Sequence, residues 1–101
     1  MDESLRDSVV GEYEAESIDG NTDKFVFLHN GIREWYTNGK KESIEPKWSI
    51  VKGEIHVKHV SGVIYVHRIN EDKSITYIAW IRDGKRIDDS KGFQYTYKKI
   101  K

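Results

Sequence analysis

One stretch limits what this chain can fold into more than any other: Phe25 to Lys41, FVFLHNGIREWYTNGKK. It carries two Asn-Gly pairs, Asn30-Gly31 and Asn38-Gly39. A type I′ turn needs positive φ at both central residues, which Asn and Gly tolerate best. Asn-Gly between strand-forming residues is therefore the strongest short-range hairpin signal. Two such turns predict three consecutive antiparallel strands. With two-residue loops, His29 faces Ile32, Phe27 faces Glu34 and Phe25 faces Tyr36, while Leu28 faces Arg33 and Val26 faces Trp35. Opposed residues share a face. The Phe25/Phe27/Tyr36 face gathers more aromatic area and is the expected interior, which puts Glu34 among aromatic rings or at their rim.

The rest of the chain repeats the pattern. Residues 3–9 are compatible with one or two turns of helix. In GEYEAE, Tyr13 alternates with Glu12, Glu14 and Glu16, as in a strand with one wet face. IDGNTD reads as a loop. Pro46 precedes a strand, where its missing N–H is tolerated. KWSIVKGEIHVKHV is a hairpin turning at Lys52-Gly53, with Trp48, Ile50, Ile55 and Val57 on one face. VIYVHRIN follows the Ser61-Gly62 turn; Ile64/Val66 and Tyr65/His67/Ile69 both suit an inward set, the mark of a bulge. SITYIAWIR is the most apolar strand, and Asp83-Gly84 ends it. KRIDDSK is a polar loop with a short strand. GFQYTYKKI places Phe93, Tyr95 and Tyr97 on one face. Eight or nine short strands separated by turns predict an all-β, antiparallel up-and-down meander in a single domain, residues 1–101, with residues 1–9 as a helical lead-in.

Composition bounds function by exclusion. Acids and bases balance at 17 each, which argues against a dedicated nucleic-acid binder. There is no Cys, hence no disulfide, thiol chemistry or Cys-type zinc site. No apolar run is long enough for a membrane span, and MDESLRDS lacks the pattern of a signal peptide. Apolar residues are 37% of the chain, but twelve aromatics lie among them and can fill a small core. Residues 1–23 carry eight acids against one base, and residues 82–101 seven bases against three acids. That asymmetry suits a first strand paired with the last.

The order of signals resembles a small lipocalin-like, calycin-type β-barrel domain. Gly11-Glu12-Tyr13 stands where lipocalins have Gly-x-Trp, whose aromatic side chain plugs the closed end. FVFLHNG and KWSIVKGEIHV resemble two hairpins of compact lipocalin-like domains, and FQYTYKKI resembles their closing aromatic strand. The chain departs in having Tyr13 for the Trp, and Lys98 and Lys99 where the packing Arg would be. The resemblance implies a small barrel.

Candidate sites follow. His56 and His59 are three apart and point to opposite faces of a strand, His29 sits at a hairpin tip and His67 mid-strand, so no metal site and no cofactor are expected. There is no nucleophile elbow and no Gly-rich phosphate loop. No catalytic residue is assigned, and enzymatic use of Glu34 or His67 is the least favoured reading. The favoured one is a non-enzymatic module binding a small apolar or aromatic ligand in the barrel mouth, through Phe25, Phe27, Glu34, Tyr36, Trp48 and Tyr97. The alternative is a filled barrel acting as a structural or protein-interaction domain. Its route to a homodimer would be an unpaired edge strand, or an exposed Trp80 on the face opposite Ile75 and Ile81.

Overall fold

The structure, a computed structural model, describes residues 3–16, 20–89 and 94–101. Phe93, the loop residues Ile18 and Asp19, and Ser90 and Lys91 of the polar loop lie outside the described residues. Among these residues one helix, α1 (Glu3–Val9), precedes ten strands: β1 (Gly11–Glu16), β2 (Thr22–Phe27), β3 (Arg33–Thr37), β4 (Lys40–Lys41), β5 (Lys47–Val51), β6 (Glu54–Lys58), β7 (Ile64–Ile69), β8 (Ile75–Arg82), β9 (Lys85–Asp88) and β10 (Tyr95–Lys99). The expected all-β antiparallel meander is what forms. No helix is long and apolar enough to cross a membrane among the described residues.

The two Asn-Gly turns are not alike. Asn38 and Gly39 both have positive φ, 52° and 83°, and join Thr37 directly to Lys40, as a type I′ turn does. At the first turn only Gly31 is left-handed, with φ 89°. There Leu28 N–H donates to the Ile32 carbonyl, and Gly31 N–H donates to the Leu28 carbonyl. This is a three-residue loop, a turn closed by a left-handed glycine. The extra residue moves the register by one. Phe27 lies opposite Arg33, Phe25 opposite Trp35 and Val26 opposite Glu34. Because side chains alternate, a one-residue slip exchanges the faces of the whole strand. The expected register is thereby corrected: Arg33 and Trp35 face inward with Phe25 and Phe27, and Glu34 and Tyr36 face outward.

The strands run in the order β4-β3-β2-β1-β10-β8-β7-β6-β5, with β9 beside β8. β10 joins the two halves, pairing with β8 (Tyr97 opposite Ile75) and with β1 (Lys99 opposite Tyr13, Lys98 opposite Glu14). The acidic first strand therefore meets the basic last one. β9 and β10 occupy the same edge of β8, β9 along residues 79–82 and β10 along 75–77. Both run antiparallel to β8, one after the other along that edge. Elsewhere Arg33 N–H donates to the Pro46 carbonyl and Trp48 N–H to the Gly31 carbonyl, which brings the starts of β3 and β5 together.

The β7–β8 register shifts at Val66/His67: Val66 faces Ala79 but His67 faces Tyr77, so Ile78 is the surplus residue. The bulge suspected in VIYVHRIN thus lies on the partner strand. It resets the alternation of β8, so Trp80 shares the face of Ile75 and Tyr65 and is half-buried. Trp80 therefore does not form the exposed patch considered from sequence.

A tight apolar cluster fills one part of the interior. Phe27 packs edge-on to both Tyr13 and Trp48, each with ring centroids 5.4 Å apart. Val9, Ile50, Ile55, Val57 and Ile75 complete it. The helix covers this part. Arg6 lies over the Trp48 ring at 4.9 Å, the Tyr13 hydroxyl donates to the Val9 carbonyl, and Lys99 donates to the Ser8 carbonyl near the helix C-terminus, where a cation suits the helix dipole. Gly11 has φ 149°, and a Cβ there would collide with the Lys101 carbonyl, so the β1–β10 seam requires glycine. On the outer face the Arg86 guanidinium grips both Glu54 oxygens at 2.8 and 3.1 Å, and its Nε donates to Asp88. This span from β9 to β6 passes over β8 and β7, whose outward residues Ala79 and Val66 are fully buried.

Candidate functional site

The interior is not filled throughout. Beyond the packed cluster lies a cavity of about 350 Å³, lined by Phe25 of β2, Arg33 and Trp35 of β3, His59 after β6, Tyr65 and His67 of β7, Tyr77 of β8, and Tyr95 and Tyr97 of β10. Both halves of the sheet contribute walls. Phe25 is the residue common to the core and the cavity: its ring lies 4.6 Å from Tyr97, 6.2 Å from His67 and 6.5 Å from Trp35. His67 sits among three rings, with Tyr77 at 5.9 Å and Tyr97 at 6.1 Å. Tyr95 is 59% exposed and marks the rim. A smaller hollow of about 190 Å³ shares Tyr95 and Tyr97 and extends toward Ala15, Glu16 and Asp23.

Arg33 is the polar group this arrangement turns on. It is only 4% exposed, and its guanidinium carbon stands 4.0 Å from the centre of the Phe25 ring. Among the described residues it has no carboxylate partner, and its Nε is buried without a hydrogen bond. His67 Nδ1 is likewise buried and unpartnered. Burial pushes Arg33 down to about 10, against a smaller upward pull from Tyr97 and Tyr65, so it remains a cation at neutral pH. Burial, and then the Arg33 charge, hold His67 down at about 3, and the same two causes lower His59. Burial is also the main cause raising Tyr97 to about 12 and raising Tyr77, where Asp89 adds to it. At neutral pH the cavity therefore presents one cation, neutral imidazoles, neutral phenols and aromatic faces.

Of the six residues expected from sequence to bind a ligand, the structure brings Phe25 and Tyr97 to this cavity. Phe27 and Trp48 are in the packed cluster, with the Trp48 indole N–H donating to the Leu28 carbonyl. Glu34 and Tyr36 are on the opposite side of β3. There Glu34 accepts a hydrogen bond from the Tyr36 hydroxyl and pairs with Lys41 at 3.3 Å. The placement of Glu34 and Tyr36 inside is thus corrected, for the register reason given above. Arg33, Trp35, Tyr65 and Tyr77 are absent from the ligand-binding set expected from sequence, and His67 enters there only as the least favoured catalytic reading. The signal that points to them is Trp35: a three-residue first loop sets it opposite Phe25 and buries more aromatic area than Tyr36 would. No group of three acidic or histidine side chains able to hold a metal occurs among the described residues.

Comparisons with protein-family models, with curated proteins and with solved structures return no match for this chain.

Proposed function

We propose that this domain is a non-enzymatic binding module that takes a small, largely aromatic ligand into the cavity between β2, β3, β7, β8 and β10. The observation that carries this reading is the cavity itself. Its volume of about 350 Å³ falls within the range of small-molecule sites, and its walls are mostly aromatic rings with a few convergent polar groups. Aromatic walls offer ring stacking as well as apolar area. A filled domain working only through its surface would not need such a space. We also propose that the domain is a small lipocalin-like barrel. In support, Tyr13 of the Gly-x-Tyr stretch lies in the cluster under the helix, and Lys99 of the last strand stands 5.8 Å from its ring centre, where the resemblance calls for an arginine.

Calorimetric titration with neutral arenes such as naphthalene tests the binding reading. Saturable one-to-one binding is expected, weakened at least tenfold when Tyr65→Trp narrows the cavity. A folded protein that takes up no arene would overturn it.

A further inference from the structure

We propose, building on the ligand-binding reading above, that the ligand is an anion: a small aromatic carboxylate whose ring lies among the cavity rings and whose carboxylate is held by the Arg33 guanidinium.

Arg33 supplies the first argument. An arginine taken out of water carries a desolvation penalty that is ordinarily offset by a carboxylate and a full set of hydrogen bonds. Arg33 has neither among the described residues: no acid pairs with it and its Nε is an orphan. Its one close partner is the face of Phe25, at 4.0 Å. A ring face attracts the cation but accepts none of its N–H bonds in the plane of the guanidinium, and those are the bonds a carboxylate would take as a fork.

The cavity supplies the second. No acidic side chain among the described residues lines it. Asp23 lines the smaller hollow and accepts the Trp35 indole N–H at 3.3 Å, and Asp89 is engaged by the Tyr77 hydroxyl. A ligand bearing a positive charge would meet Arg33 with nothing to balance the repulsion. A neutral arene would leave the guanidinium unpaired. An anion satisfies it, and the orphaned His67 Nδ1 provides a second polar atom facing the same group of rings.

The third argument is shape. Flat side chains, Phe25, Trp35, Tyr65, Tyr77 and Tyr97, surround the space, which suits a planar ring more than a branched aliphatic chain.

Matched pairs of probes make the test: phenylacetate against phenylacetamide, and naphthalene-2-carboxylate against naphthalene-2-carboxamide, titrated calorimetrically into the intact chain at neutral pH. The carboxylate should bind about tenfold to a hundredfold more tightly than its amide, the usual worth of a charge-assisted pair. Arg33→Met should abolish that preference while still binding the amide. The wild-type protein gives an independent readout, since the Arg33 Nε–H resonance should shift on adding the carboxylate and not the amide. Equal affinity for acid and amide, or a preference that survives in Arg33→Met, would overturn the anion proposal and leave the binding module standing. If neither member of either pair binds and naphthalene also fails, both readings fall together.

Discussion

Arg33 and His67 are the buried polar side chains that most affect the stability of the interior. A buried cation without a partner destabilises the fold that contains it, and replacing such a group by an apolar one of similar length relieves the penalty. Arg33→Met is therefore expected to stabilise the ligand-free protein by about 1–3 kcal/mol, seen as a higher midpoint in thermal unfolding. A lower midpoint would mean that the contact with Phe25 outweighs desolvation. His67 sets a pH dependence whose sign follows from its burial. Unfolded, it takes up a proton near its ordinary value of 6.5; folded, it resists until about 3. Its neighbours are Arg33, which opposes the charge, and the rings of Phe25, Tyr77 and Tyr97, which do not supply one. Stability is thus fully present above pH 6.5 and falls as pH drops toward 3, by up to about 1.4 kcal/mol per pH unit from this group. His67→Leu should flatten that decline, making the loss between pH 7 and 4.5 about 2–3 kcal/mol smaller than in the wild type, by urea unfolding at the two pH values.

At the scale of elements, the first hairpin explains both what sequence reveals here and what it hides. The turns and the strands they separate follow from Gly, Asn and alternating apolar residues, and the pairing of β1 with β10 from the acidic start and basic end of the chain. The face of β3 does not, because Asn-Gly serves two loop lengths. As a pair it makes a two-residue type I′ turn, and as the end of a longer loop it supplies the single left-handed position. Asn38-Gly39 takes the first form and Asn30-Gly31 the second, and that one residue decides whether Arg33 or Glu34 is inside. The bulge at Ile78 is hidden for a related reason: SITYIAWIR is apolar on both faces, so its pattern carries no mark of where alternation resets. The loop argument has a consequence. Deleting His29 leaves Asn30-Gly31 as a two-residue turn that still sets Leu28 opposite Ile32, so Arg33 stays inward. The variant should keep its fold, losing no more than about 1 kcal/mol along with the Arg6–His29 hydrogen bond. A shift of the Arg33 Nε–H signal to its exposed, water-like position would show instead that the register had slipped.

Across the whole molecule, most strands are fastened to their neighbours in sequence by tight turns. β10 is different. Its partners are Ile75 to Tyr77 on one side and Glu12 to Glu14 on the other, the latter almost a chain length away. Contacts so distant in sequence form late, because closing the intervening loop must precede any gain from them. The same strand bears Tyr95 and Tyr97, which line the cavity. Amide hydrogen exchange should find β10 opening at lower free energy than β6 and β7, and opening without global unfolding. Uniform protection across all three would refute this. Because β10 is hydrogen-bonded to β1 on one side and to β8 on the other, its opening would part the two halves of the sheet.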